Sequence, residues 1–215
     1  MNLKGLVALG LSAGLALAAP ASAATLATAF DADNVNDGVM FDLSVLDGPV
    51  SLQGIGINAD AGTFDYSVYY RAGGIGTATG TPSAWTLLGD FAGVTTAGIG
   101  TATLLDIDDV ELAGGTTYGF YVTDTRFFSV QYTDSVGEVG DVLAADDALA
   151  IRVGYGVSGL FGEASSPRAF NGTLSYAAVA GAVPEPAGWA MMIAGLGLAG
   201  TMLRRRRTIR NAVPA

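Results

Sequence analysis

Between about residues 24 and 180, apolar and polar positions alternate with a period of two rather than 3.6, the pattern of half-buried β-strands. In Thr63-Phe64-Asp65-Tyr66-Ser67-Val68-Tyr69-Tyr70, the side chains of Phe64, Tyr66, Val68 and Tyr70 fall on one face. Tyr118, Phe120 and Val122 repeat the pattern, as do Phe128, Val130 and Tyr132. Further strands are predicted at 39–46, 50–57, 84–91, 100–107, 148–154 and 170–178. Turn signals separate them: Asp47-Gly48-Pro49, Gly73-Gly74, Thr81-Pro82, Gly114-Gly115 and Asn171-Gly172. The last pair reads as a hairpin turn rather than as the glycosylation sequon that Asn171-Gly172-Thr173 also matches. No stretch here has an amphipathic helical period. Nine to ten short strands predict an all-β domain, a two-sheet antiparallel sandwich of jelly-roll type, with a closed barrel as the alternative.

Both ends break this pattern. Lys4 precedes an apolar run from Leu6 to Ala19, and Ala21-Ser22-Ala23 places small residues where a signal peptidase requires them. Residues 1–23 therefore read as a signal helix, with cleavage after Ala23. At the other end, residues 187–203 carry no charge. A helix of that length spans about 25 Å, the short end for a transmembrane segment. Arg204, Arg205, Arg206 and Arg207 follow at once and should stay cytoplasmic. The expected organisation is a signal peptide (1–23), a β-sandwich (24–180), a linker (181–186), a transmembrane helix (187–203) and a basic tail (204–215).

Charge sharpens this division. Between leader and tail only Arg71, Arg126, Arg152 and Arg168 face nineteen acids, a net charge of −15. Such a surface repels phosphate backbones, which argues against nucleic-acid partners. The chain has no Cys, which excludes a disulfide framework and thiolate chemistry.

The linker holds Val183-Pro184-Glu185-Pro186. Its prolines fix their own φ and push the preceding residues to extended backbone, a form a processing enzyme can bind. Pro184-Glu185-Pro186, then Trp189-Ala190, a Gly-rich span and an arginine cluster resemble the PEP-CTERM sorting signal in its PEPxxWA form. That resemblance covers about 25 residues. It implies an exosortase, a membrane-embedded cysteine transpeptidase, as partner, with a cut near the motif and a membrane span that is transient. It further implies an association with exopolysaccharide and biofilm. Eight residues follow Arg207, more than this pattern usually carries. The middle region is loosely similar to secreted β-sandwich domains that precede such tails, through Trp85-Thr86-Leu87-Leu88-Gly89 and the run from Phe161 to Tyr176.

The chemistry of the middle is defined mostly by what is missing. There is no His, and the sole Lys lies in the leader. This removes His-based acid–base catalysis, Ser-His-Asp triads, Schiff bases and His/Cys metal sites. Carboxylate chemistry of the glycosidase kind remains open, but no pair among nineteen acids stands out. We expect no enzyme activity and no cofactor. Two acidic clusters are weak Ca²⁺ candidates: Asp31, Asp33, Asn34, Asn36 and Asp37, and Asp106, Asp108, Asp109 and Glu111. Alternation would split the second between two faces, and solvated acidic edges are the simpler expectation for both. Gly154-Tyr155-Gly156-Val157-Ser158-Gly159 matches G-x-G-x-x-G, but no helix is predicted after it, so no dinucleotide site is expected. Trp85, Tyr69 and Tyr121 could stack on sugar rings, though strand aromatics more often pack in a core. The expectation is a non-enzymatic surface or matrix protein. The alternatives are a carbohydrate- or Ca²⁺-binding module and, behind them, a carboxylate-based glycosidase.

Overall fold

The computed structural model describes residues 23–126, 128–134, 137–179, 193 and 195–197. The described residues form thirteen strands: β1 Ala23–Ala27, β2 Asn34–Asn36, β3 Gly38–Val45, β4 Val50–Ile57, β5 Thr63–Ala72, β6 Thr86–Thr95, β7 Thr103–Leu112, β8 Thr117–Asp124, β9 Val130–Asp134, β10 Val142–Ala145, β11 Leu149–Ser158, β12 Glu163–Phe170 and β13 Gly172–Ala178. They form two separate antiparallel sheets, ordered β1-β13-β4-β7 and β2-β9-β12-β11-β3-β8-β5-β6, with β10 pairing β11. The sandwich rather than the closed barrel is observed. Within it, β1-β13-β4-β7 packs against β3-β8-β5-β6, and successive connections cross between the sheets except at the β5–β6 hairpin. This is the strand order of a jelly roll. Strands β9 to β12 are an elaboration inserted before the last jelly-roll strand, and with β2 they widen the larger sheet beyond β3.

Alternation builds the core between the sheets as expected. Tyr66 and Val68 of β5, Tyr118, Phe120 and Val122 of β8, and Phe41 and Leu43 of β3 meet Leu52, Ile55 and Ile57 of β4 and Leu174 of β13. Phe64 and Tyr70 pack half-buried against its margin. Phe41 stacks on Phe170 at 4.2 Å and on Phe120 at 5.7 Å. Each fully buried side chain of this kind contributes about 1.5–3 kcal/mol.

Several elements differ from the alternation pattern. The predicted strand 170–178 is observed as β13 from Gly172 to Ala178, while its first residue, Phe170, ends β12 in the other sheet and Asn171 joins the two. The Asn171-Gly172 pair is therefore a crossing between sheets, not a hairpin turn. Asn171 is buried, with its Nδ2 donating to Thr133 Oγ1 at 3.0 Å. Gly172 is required there, because a Cβ would stand 2.1 Å from the Phe170 ring and 2.2 Å from the Gly56 carbonyl. Phe128 lies outside β9 and is 58% exposed, so only Val130 and Tyr132 of that trio face inward. The predicted strand at 84–91 begins only at Thr86, because Pro82–Ala84 forms a 3₁₀ turn. Strands β1, β2, β10 and β12 are short or polar and give no clear alternation.

Among the described residues no helix is long and apolar enough to cross a membrane. The predicted signal helix and the span 187–203 lie almost wholly outside the described residues; of the span, Ile193 and Gly195–Gly197 are helical.

Candidate functional site

Four places could carry function: the edge where the chain's ends leave the sandwich, the acidic clusters, the polar groups buried near the core, and the aromatic face of the larger sheet.

At the edge of the smaller sheet, β1 pairs with β13 in the register Ala23↔Ala177 and Ala24↔Tyr176. The expected cleavage point after Ala23 thus falls on the first residue of a paired strand. Beyond β13, the Val179 amide donates to the Pro49 carbonyl at 2.9 Å. Ala21 and the sorting residues Pro184, Glu185, Pro186, Trp189, Ala190 and Arg204–Arg207 lie outside the described residues.

The acidic clusters are built into the fold's own hydrogen bonding. Asp33 accepts from the Asp134 amide at 2.8 Å, and Asp37 accepts from the Gly159 amide at 2.7 Å. Asn34 and Asn36 each accept from the amide of the next residue, and Asn36 also accepts from Ser158 Oγ at 2.9 Å. The Asp31 carbonyl accepts from Thr133 Oγ1. These contacts tie the β1–β3 segment to β9 and to the β11–β12 turn. On β7 the alternation shifts phase: Leu105 and Ile107 are buried, then Leu112. A register irregularity against β4 accompanies the shift. It leaves Asp106, Asp108, Asp109 and Glu111 all exposed, so the expected split between two faces does not occur. Strand β7 is an edge of its sheet, and charge there deters pairing with another chain. Among the described residues no group of three or more acidic side chains converges to hold a metal ion.

Most buried polar side chains among the described residues are paired, but Asn58 Nδ2, Arg71 Nε and Asn171 Oδ1 have no hydrogen-bond partner. Tyr66 Oη and Ser129 Oγ are 2.9 Å apart, and Ser129 donates to the buried Asp124 carboxylate at 2.6 Å. Burial pushes the Tyr66 phenol up to about 12, against the Ser129 hydrogen bond, which lowers it. Burial also raises Asp42, which accepts from the Ile75 amide at 2.7 Å and lies near Arg152 and Arg71. For Asp146, partial burial raises the carboxyl. Hydrogen bonds from Tyr176 at 2.6 Å and from the Leu149 and Ala148 amides outweigh that and hold it below the usual range.

The outer face of the larger sheet carries a second apolar cluster: Met40, Ile75, Trp85, Tyr121, Val157 and Phe161. Residues 73–85 fold back over the sheet to make it. Arg71 anchors this loop through the carbonyls of Gly74 and Ile75, and Trp85 Nε1 donates to the Ala78 carbonyl at 2.9 Å. The Arg71 guanidinium stands 5.8 Å from the Trp85 ring centre. Trp85 and Tyr121 are buried, whereas Tyr69 is only half-buried at the rim. The three aromatics singled out from sequence are therefore neighbours, and they pack on one further ring, Phe161. Its centroid lies 4.9 Å from Tyr121, 5.0 Å from Tyr69 and 6.1 Å from Trp85. Alternation offers no signal for Phe161, because it sits in the β11–β12 turn. The G-x-G-x-x-G segment runs along β11 into that same turn, with no helix after it.

Residues 182–207 match the PEP-CTERM protein-sorting motif. A chain with this motif is an exported protein tied to the envelope and sorted by an exosortase. No curated protein matches the chain. Among solved structures, the chain is similar to the cysteine protease and lectin-like domains of Cwp84, a surface layer associated protein of Clostridium difficile. The identity is 15% and the TM-score 0.40; the match spans 67% of this chain and a third (33%) of that one.

Proposed function

Because the chain carries a PEP-CTERM sorting signal, we propose that it is a non-enzymatic surface or matrix protein acting in association with exopolysaccharide. The observation that carries this reading is the tail match at 182–207. The leader directs export. The span 187–203 holds the precursor in the membrane until an exosortase acts near Pro184-Glu185-Pro186, and the four arginines keep the end of the chain cytoplasmic. The domain's charge of −15 suits neutral polymers better than anionic ones. The absence of His and Cys supports a binding rather than a catalytic role.

The test is mass spectrometry of the surface form in a host with an exosortase. We expect loss of the residues beyond the Pro184-Glu185-Pro186 region. An intact Arg204–Arg207 tail on the surface form would make the segment a plain anchor. Pro184→Ala with Pro186→Ala should block processing while export continues. A second reading is a carbohydrate-binding module, for which the half-buried Tyr69 at the rim of the outer aromatic cluster is the one of the three sequence-named aromatics that keeps some exposure. A glycan array with and without Ca²⁺ separates it from a purely structural role; no binding in either condition would sink it.

A further inference from the structure

Strand β1 stands at the edge of the smaller sheet, and its ladder partner among the described residues is β13, the last strand of the domain. The pairing runs from Ala23↔Ala177 to Ala27↔Thr173 without a bulge. Leu26 is buried in the core, and Ala24 packs half-buried against it. Just past the strand, Thr28 and Gly172, 144 positions apart, are clamped together. The Thr28 amide donates to the Gly172 carbonyl at 2.9 Å, the Gly172 amide donates to Thr28 Oγ1 at 2.8 Å, and Thr28 Oγ1 donates to the Gly172 carbonyl at 3.2 Å. Both residues are buried. The residues that follow the expected cut after Ala23 are therefore fixed by the end of the domain, not by their neighbours in sequence.

A peptidase closes around its substrate. It takes the chain extended, bonds to its backbone and receives alternate side chains in pockets. In the folded domain one edge of β1 bonds to β13, and one face turns Ala24 and Leu26 into the core. A cleft cannot then enclose the bond between Ala23 and Ala24. We propose that the β1–β13 ladder is a folding lock on leader removal: the cut after Ala23 is made only while β1 is unpaired. Because β13 is the last strand, that interval ends when the chain has crossed the membrane to Ala178 and the sheet closes. Pro184-Glu185-Pro186 follows Ala178 by a few positions, so the chain that reaches the tail-cutting step must come from a prior peptide-bond hydrolysis at Ala23. The lock rests on the export reading above and gives an order to its two cuts.

The experiment uses the full precursor in detergent and a purified signal peptidase, with the cut mapped by mass spectrometry. Peptidase is added either as the urea-unfolded chain is diluted or after refolding is complete. The first arm should give a chain that starts at Ala24. The second should be cut at least about tenfold more slowly, because a paired site meets a protease only in the fraction of molecules that have opened. Thr28→Val removes both hydroxyl bonds of the clamp and should speed cutting of the folded chain about threefold or more. Equal rates in the two arms overturn the lock and leave the export reading intact. So does a folded Thr28→Val chain that is cut no faster than the parent. A cut elsewhere, or none in either arm, overturns the cleavage after Ala23 and the lock with it. Should Thr28→Val fail to fold, Leu26→Ala takes its place, and the two parent arms decide.

Discussion

The two faces of the larger sheet are packed by different means. On the inner face, Tyr66, Val68, Phe120 and Val122 meet the opposite sheet, strand against strand. On the outer face, Tyr121 of β8 and Met40 of β3 meet a loop and a turn instead. The inner cluster is fixed by two sheets whose hydrogen bonds run through the whole domain. The outer one is fixed by Arg71, by one indole hydrogen bond and by a strained turn that holds Phe161 at φ +53°. Burial is similar, yet the inner face should behave as the global folding core and the outer face as a locally opening unit.

The largest expected effect falls on the inner face. Phe41→Ala should cost about 3–5 kcal/mol in chemical denaturation, since a stacked ring between two sheets leaves a cavity that cannot collapse. A loss under about 1 kcal/mol would break the comparison. The next test uses alkali. The Tyr66 phenol is raised to about 12 in the folded chain, so its contribution is fully present below the unfolded value near 10. That contribution is lost as pH climbs from 10 towards 12, by about 2–3 kcal/mol in all. Tyr66→Phe should flatten that part of the pH–stability curve.

A smaller effect probes the outer face. A Cβ at Gly119 would stand 2.9 Å from the Ile75 amide, against loop backbone rather than the end of a flexible side chain. Gly119→Ala should displace the loop and cost about 1–2 kcal/mol. Hydrogen exchange should rise at 73–85 and not around Phe41. Gly54→Ala on the smaller sheet meets only the flexible end of the exposed Leu104, at 2.8 Å, and should cost less than about 1 kcal/mol. Smallest of all, Asp106→Asn with Asp108→Asn should leave stability within about 0.5 kcal/mol. Light scattering should instead show more association through the β7 edge.

Alternation made the inner core legible because one face of a paired strand must be apolar. Tyr66, Val68, Tyr118, Phe120 and Val122 were readable for that reason, and so was the all-β class. Phe128 misled, because period two continues in sequence where the strand does not. The β7 acids misled in the opposite sense, since a register shift against β4 changes which side chains face out. Asn171-Gly172 has turn chemistry, but whether a turn returns to the same sheet or crosses to the other depends on strands far away in sequence. Trp85, Tyr69 and Tyr121 were recognisable as candidates. Phe161 was not, for its role depends on a backbone angle and three distant rings.

By itself, the sequence determined the strand class, the acidic surface, the exclusion of His and Cys chemistry, and the sorting tail, which matches as a linear motif. Each is a local or additive property: periodicity, charge, residue type and spacing are present before the chain folds. Only the tertiary structure decided the jelly-roll order, the inserted strands β9 to β12, the clustering of four aromatic rings on one sheet face and the strain at Phe161. Those depend on long-range pairing, where residues tens of positions apart share one hydrogen-bond ladder or one pocket, and no local pattern encodes which partner is chosen.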